Sequence, residues 1–213
     1  MSSAGKVSGL LYIISAPSGA GKTSLVKALL ARDQDIAVSV SHTTRSPRPG
    51  EVDGEDYFFT KQEVFKQQID QQAFIEYAEV FDHYYGTEKK QVDRQLACGQ
   101  DVILEIDWQG ARQVRQVFPQ AVSVFILPPS KQALESRLKN RGQDHDDVIK
   151  RRMKDAQNEA SHYDEYDYLL VNDDFEQALQ ELQLIFSANR LRLSSQQVKL
   201  HRLISDLLDY SRD

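Results

Sequence analysis

Short apolar segments alternate with amphipathic ones along most of the chain. Each apolar segment has the length of a buried strand, and the four are residues 10–14, 101–107, 121–127 and 166–172. Helical periodicity follows the first of them in "TSLVKALLARD" and recurs at 109–117 and 131–140. Buried strands that alternate with helices are typical of a parallel sheet with helices on both faces. The pattern therefore predicts an α/β fold.

Residues 41–90 interrupt this alternation. They are polar overall but rich in tyrosine and phenylalanine, and they contain the turn signals "SPRPGE" and "VDGED". The segments "DYFFT" and "AFIEYAEV" are predicted strands of a small separate sheet. Because the aromatic content is too high for a disordered linker, we interpret this stretch as an inserted subdomain.

Two amphipathic helices are predicted near the C-terminus, in "FEQALQELQLIFSANRL" and "QQVKLHRLISDLLD". In the second, Leu203, Ile204, Leu207 and Leu208 form an apolar stripe. We expect this stripe to pack against the core of its own chain. The alternative is contact with a second copy, which would make a homo-oligomer through the C-terminal helices.

The composition and charge of the chain argue against several classes of protein. A chain of 213 residues with a formal net charge of −6 can bury a core but is a poor general binder of nucleic acid or of membranes. The single cysteine, Cys98, leaves no internal disulfide and no zinc-ligand spacing. The N-terminal "MSSAGKVSG" has no signal-peptide pattern, and no apolar run approaches the ~20 residues of a membrane span. We therefore expect a cytoplasmic protein.

The turn after the first strand is close to the phosphate-binding pattern G-x-x-x-x-G-K-[ST], with Ala16 in place of the first glycine. A residue before proline favours extended backbone angles, so an alanine before Pro17 is acceptable there. Backbone N–H groups at the start of the following helix can then hold phosphates. Lys22 would reach the β- and γ-phosphates, and the Thr23 hydroxyl would bind Mg²⁺. The predicted ATP-binding residues of this loop are Ala16, Pro17, Ser18, Gly19, Ala20, Gly21, Lys22, Thr23 and Ser24.

The inserted segment offers a second anion site. Arg45 and Arg48 are three residues apart, and Glu51 and Tyr57 follow them. Two guanidinium groups and a phenol that converge on one point suit a dianionic monophosphate, because each guanidinium can bind phosphate in bidentate fashion.

Five further segments have a recognisable order and spacing: "SHTTRSPRPGEVDGEDYFF", "FIEYAEVFDHYYGT", "LEIDWQG", "RLKNRG" and "IKRRMKDAQNE". Together they resemble the guanylate kinase family, close to its bacterial members, over nearly the whole chain. The resemblance implies one P-loop kinase domain over residues 1–213 with a parallel-sheet core at 9–40, 91–130 and 156–213. It also implies a small mixed-sheet subdomain that binds GMP at about 41–90, and a helical lid at about 131–155.

The resemblance also assigns residues to the acceptor nucleotide. It implies that the GMP phosphate is bound by Arg45, Arg48, Tyr57 and Tyr85, and that the guanine is faced by Ser41, Glu76 and Thr87. Glu76 suits this role chemically, because a carboxylate only accepts hydrogen bonds and guanine presents N1–H and N2–H₂ as neighbouring donors. Adenine would leave the carboxylate poorly matched, at a cost of about 1–3 kcal/mol.

Two further acidic side chains end the second core strand. Glu105 and Asp107 are two residues apart, so period-two geometry places them on the same side of that strand. The resemblance implies a place for Asp107 near Mg²⁺ and the acceptor phosphate. The family more often has aspartate where this chain has Glu105, so its expected contact with guanine involves a longer side chain.

The predicted lid carries three candidate catalytic arginines, Arg137, Arg141 and Arg152. The first two are four residues apart on one helix face. The resemblance also places Asn172 near the adenine of ATP. The neighbouring Lys150, Arg151 and Lys154 are expected to belong to a solvated helix face.

The expected reaction is Mg²⁺-dependent transfer of a phosphoryl group from ATP to GMP, and to dGMP, in purine nucleotide metabolism. Lys22, Arg45 and the lid arginines would carry it. One alternative is a non-catalytic guanylate-kinase-like binding module, although the intact Gly-Lys-Thr of the loop argues against it. The other is a related P-loop kinase that acts on a sugar bisphosphate.

Overall fold

The computed structural model describes residues 8–80, 82–140 and 146–209. Its larger sheet has five strands, all parallel: β1 (Leu11–Ser15), β2 (Ile36–Val38), β7 (Asp101–Glu105), β8 (Val122–Leu127) and β9 (Tyr168–Val171). Their spatial order is β2-β7-β1-β8-β9, which puts β1 in the centre. The parallel sheet and four of its strands agree with the prediction; the three-residue β2 was not predicted.

Helices cover both faces of this sheet: α1 (Lys22–Arg32) and α7 (Phe175–Arg190) on one, α3 (Lys89–Ala97) and α4 (Trp108–Val117) on the other. Helices α5 (Lys131–Asn140) and α6 (Asp146–Ala160) instead pack against each other in a small cluster of their own, and a 3₁₀ turn spans Tyr163–Glu165. Side chains alternate along β1: Tyr12 and Ile14 pack into one core cluster with α1 and α7, whereas Leu11 and Ile13 face the cluster that contains α3 and α4. A strand buried on both faces needs the continuous apolar run that the sequence has there.

The inserted stretch forms a second, four-stranded sheet. Its elements are β3 (His42–Thr43), β4 (Phe58–Phe59), α2 (Gln62–Asp70), β5 (Phe74–Val80) and β6 (His83–Glu88), with the order β4-β3-β6-β5. The sheet is mixed, because β3 and β4 are parallel while β6 is antiparallel to both of its neighbours. Phe65 of α2 stacks on Phe74 and Tyr84, with ring centroids 4.5 and 5.5 Å apart, and gives this sheet its own small core.

The C-terminal segment differs from the prediction. The expected second helix is divided at Leu200 into α8 (Leu193–Lys199) and α9 (His201–Leu208). The expectation that its apolar stripe packs on the core is wrong: Leu203, Leu207 and Leu208 are 53%, 69% and 66% exposed. Within the described ranges, no helix has the length and apolar content that crossing a membrane requires.

Candidate functional site

The predicted phosphate loop, residues 16–23, links the central strand β1 to helix α1. Gly19 and Gly21 have φ of 94° and 95°, a region in which a Cβ is strained, and Gly21 caps the helix that begins at Lys22. Ala16 is not among the described non-glycine residues with positive φ. The sequence argument that an alanine is acceptable at this position is therefore confirmed.

Asn172, just after β9, is hydrogen-bonded to the backbone of the phosphate loop. Its buried amide Nδ2 donates to the Ala20 carbonyl at 2.7 Å. A Cβ on Gly21 would collide with the same Nδ2 atom. The structure thus brings Asn172 to the loop, where its side chain bonds to the loop backbone.

Two of the three predicted lid arginines also reach the phosphate loop. Arg137 of α5 donates to the carbonyl of Ala20 at 3.3 Å and to that of Asn172 at 2.9 Å. Arg152 of α6 donates to the Ser18 hydroxyl at 3.3 Å. The third, Arg141, lies outside the described residues.

A cleft with a volume of about 1020 Å³ opens between the phosphate loop and the smaller sheet. It is lined from both sides by predicted site residues, namely Ser18, Lys22, Thr23, Ser41, Arg45, Arg48, Glu51, Tyr57, Tyr85, Glu105 and Arg152. Its volume lies at the upper end of the ~300–1,000 Å³ typical of ligand pockets. The sequence therefore identified about half of the residues that line this cleft, and the lining combines basic with acidic side chains.

Glu51 bonds to both arginines of the segment that follows β3, to the side chain of Arg45 and to the backbone of Arg48. Its carboxylate accepts from both terminal nitrogens of Arg45, at 2.8 and 2.9 Å, and from the backbone N–H of Arg48 at 2.7 Å. The Arg45 guanidinium lies 5.4 Å from the ring centre of Tyr57. The hydrogen bond from Arg45 lowers the pKa of Glu51, so the pair stays charged. Glu51 thus orients Arg45 in this structure.

Glu76 and Thr87 are buried side by side on β5 and β6. The Thr87 hydroxyl donates to Glu76 Oε1 at 2.6 Å. Burial raises the pKa of Glu76 to about 7, and the nearby Asp107 acts in the same direction. Neither Glu76 nor Thr87 lines the open cleft.

The two acidic residues at the end of β7 have different surroundings. The Thr23 hydroxyl donates to Glu105 Oε2 at 3.2 Å, which joins the phosphate loop to this strand. Asp107 caps α4, because its Oδ1 accepts from the Gly110 N–H at 2.9 Å, and it does not line the cleft. Within the described part of the chain, no group of three or more His, Cys, Asp or Glu side chains could hold a metal ion.

Helix α6 contributes cleft residues that were not predicted. Glu159 Oε2 accepts from the backbone N–H of Ser18 at 3.0 Å, and burial raises the pKa of this carboxyl. Arg151 and Asp155 also line the cleft. Arg151 is nevertheless exposed, as expected for a solvated helix face. The spacing of Arg152, Asp155 and Glu159 on one helix face was the signal that could have found them.

Replacing Glu76 with glutamine is expected to stabilise the folded protein at high pH. Burial raises the pKa of Glu76 from its ordinary value of 4.5 to about 7 in the folded protein, so folding stability is lost as the pH rises between these values. Glutamine removes that ionisation, while its carbonyl can still accept from Thr87. We expect Tm to rise by roughly 3–6 °C at pH 8, with little change at pH 4.5.

Calorimetric melts at both pH values measure this effect. Glu79→Gln, at an exposed position of the same strand, is the matched control and should leave Tm nearly unchanged. An equal shift of Tm at both pH values would show that ionisation of Glu76 is not the cause.

The chain is similar to known proteins in sequence and in fold. The profile of the guanylate kinase family matches residues 8–189. The chain is 62% identical to a guanylate kinase of Methylococcus capsulatus over 94% of its length and 98% of that protein. It is 58% identical to a guanylate kinase of Escherichia coli with the same coverage. A crystal structure of guanylate kinase from Anaplasma phagocytophilum is similar, with a TM-score of 0.74 at 34% identity over 88% of this chain and 89% of that one.

Proposed function

The chain belongs to the guanylate kinase family, and we propose that its cleft is where it transfers a phosphoryl group from ATP to GMP, giving ADP and GDP. One observation carries the assignment of the site: Lys22 of the phosphate loop and Arg45 and Arg48 of the smaller sheet line the same cleft. A kinase needs such a junction, because two anionic substrates have to meet there.

ATP binds on the side of the cleft formed by the phosphate loop. The loop N–H groups and Lys22 hold the phosphates, as the positive end of α1 favours. Arg137 and Arg152 neutralise charge on the transferring phosphoryl group when the lid closes. Asn172 supports the loop beside the adenine.

GMP binds on the side formed by the smaller sheet. Arg45 and Arg48 bind the phosphate together with the phenols of Tyr57 and Tyr85, whose ring centroids are 6.0 Å apart. Glu51 acts through Arg45, because its carboxylate would repel phosphate but already pairs with that guanidinium.

The guanine is recognised by Glu76 with Ser41 and Thr87. The ionised carboxylate accepts from N1–H and N2–H₂, whereas AMP offers no such pair of donors. Because burial has raised the pKa of Glu76 to about 7, GMP binding favours loss of its proton. Glu105 lies next to Thr23 at the end of β7 and lines the cleft, so it approaches the base from that side.

The residues around Thr23 fit Mg²⁺. This ion usually takes one or two protein oxygens and completes its shell with phosphate oxygens and water, so a cluster of protein ligands is not required. The Thr23 hydroxyl, 3.2 Å from Glu105, offers such a donor beside the phosphate loop. When bound, Mg²⁺ supplies charge neutralisation at the β- and γ-phosphates.

Alignment and charge neutralisation account for the catalysis. The nucleophile is a phosphate oxygen of GMP, and its second pKa of about 6 leaves it mostly ionised at neutral pH, so no base is needed. Asp107 and Glu76 do not line the open cleft. We therefore propose that the subdomain at 41–90 and the lid at 131–155 close over the core at 9–40, 91–130 and 156–213, which also excludes water.

A coupled assay with ATP and Mg²⁺ tests this function. GMP and dGMP should be phosphorylated, with AMP at least about tenfold poorer in kcat/KM because its base mismatches Glu76. Turnover of ribose bisphosphates instead of GMP would indicate the sugar-bisphosphate kinase. Binding of GMP without turnover would indicate the binding module. Neither alternative is favoured by the comparisons.

We also propose that the exposed stripe of α9 contacts a second copy in the cytoplasm. Leu203, Leu207 and Leu208 are the exposed leucines of this short helix. Leu207→Glu is expected to lower the mass measured by light scattering to that of a monomer. The control is Leu184→Glu, at a leucine of α7 that is 67% exposed, and it should leave the measured mass unchanged. A wild-type protein that is monomeric at all concentrations would contradict the proposal.

A further inference from the structure

Gly110, in the first turn of α4, touches the carboxylate of Glu76. A Cβ at this position would lie 2.5 Å from Glu76 Oε2 and 3.1 Å from its carboxyl carbon. Real Cβ atoms do not approach other atoms so closely, so an added methyl group has to displace one of the two partners.

The backbone of Gly110 does not itself require glycine. Its φ is not among the positive values found for Gly19, Gly21 and other turn glycines. In a helix, glycine is destabilising relative to alanine, because it loses more conformational freedom on folding. The local structure therefore favours alanine, and the contact with Glu76 is what opposes it.

Helix α4 is hydrogen-bonded to strand β5 beside Glu76. The side-chain amide of Gln113 in α4 makes two hydrogen bonds to the backbone of Tyr77, the residue after Glu76. It accepts from the Tyr77 N–H at 3.1 Å and donates to the Tyr77 carbonyl at 2.8 Å. The N–H of Gly110 is also fixed, because it donates to Asp107 at 2.9 Å. An added Cβ thus moves the Glu76 carboxylate, not the helix.

The Glu76 carboxylate is held from its other side as well. Its Oε1 accepts from Thr87 at 2.6 Å, and the residue is 4% exposed. If Oε2 is displaced, the carboxylate has to rotate or shift, and its hydrogen bond with Thr87 is distorted as well. Only the end of one side chain is displaced, so the fold should tolerate the change while the position of the acceptor atoms does not.

We propose that Gly110 is a positioning residue that determines base specificity: its missing side chain gives Glu76 Oε2 the place from which it accepts a guanine hydrogen bond. The inference rests on the proposed function of Glu76. It extends the recognition site to a helix that does not itself touch the base.

Gly110→Ala tests the proposal by calorimetry. We expect the Kd for GMP to rise about tenfold, as for a lost or misaligned buried hydrogen bond, while the Kd for ATP stays unchanged. The preference for GMP over IMP should also fall, because IMP lacks the 2-amino group that needs the second oxygen. A purely structural role would not change this ratio. Gln116→Ala, at an exposed position of the same helix, should match the wild type.

A second set of variants separates this inference from the proposed function. If Glu76→Gln keeps wild-type GMP affinity, the role of Glu76 itself is wrong. If Glu76→Gln loses GMP but Gly110→Ala keeps the wild-type affinity and GMP-to-IMP ratio, the inference about Gly110 is overturned.

The Glu76→Asp variant, with its shorter side chain, allows the proposal to be tested even if Gly110→Ala alone folds poorly. Aspartate withdraws from the added methyl group, so Gly110→Ala should cost less GMP affinity, and less Tm, in the Glu76→Asp background than in the wild type. Equal losses in both backgrounds would show that the two residues act independently.

Discussion

Lys22→Ala is expected to lower kcat by roughly 10²–10³-fold, the usual loss when one fixed donor to a developing negative charge is removed. The Lys22 side chain starts at the first residue of α1 and lines the cleft beside Thr23. Its ammonium group would bind the β- and γ-phosphates and neutralise their charge during transfer, and an alanine side chain cannot do this. GMP affinity should persist, because Arg45 and Arg48 are on the other side of the cleft.

The coupled assay and GMP calorimetry measure the two halves of this prediction. Lys90→Ala removes an exposed lysine from α3 and should leave both quantities unchanged. Retained turnover in Lys22→Ala would contradict the assignment of the phosphate loop, whatever happened to GMP binding.

Arg45→Ala is expected to raise the Kd for GMP by about 10- to 100-fold, since hydrogen bonds to charged groups contribute about 1.5–3 kcal/mol. The variant loses the bidentate fork and also leaves Glu51 without its guanidinium partner, so a carboxylate then faces the incoming phosphate. The Kd for ATP should change little, because the contacts at the phosphate loop remain.

Parallel titrations with GMP and ATP distinguish the two sites. Arg94→Ala, at an exposed position of α3, controls for the loss of one positive charge. Arg45→Lys keeps the charge without the fork and should give an intermediate Kd. Equal weakening of GMP and ATP would mean that Arg45 does not belong to the acceptor side.

The sequence predicted those parts of the site that are built from neighbouring residues. The phosphate loop follows directly from the strand–glycine–helix pattern, because its backbone turn is closed by local bonds, such as that from the Ala20 N–H to the Pro17 carbonyl at 3.0 Å. Arg45 and Glu51 are six residues apart, and their salt bridge joins two residues that the sequence had already singled out together.

Contacts between distant segments were not predictable in this way. The bond from Ser18 to Glu159 joins residues 141 positions apart, and the pattern of α6 shows only that Glu159 shares a face with Arg152. The contact between Gly110 and Glu76 also depends on how α4 packs against β5. The stripe of α9 was misassigned because periodicity identifies an apolar face but not what covers it.

The central place of β1 has a consequence for the order in which the protein opens. Strand β1 is hydrogen-bonded to β7 on one side and to β8 on the other, whereas β2 and β9 are the edges of the sheet. Local fraying begins where backbone groups have few partners, so the edges can exchange with solvent while the centre stays paired. We therefore expect the stem of the phosphate loop to be among the last parts of the molecule to unfold, and the loop to keep its shape during the proposed closure of the subdomain and the lid.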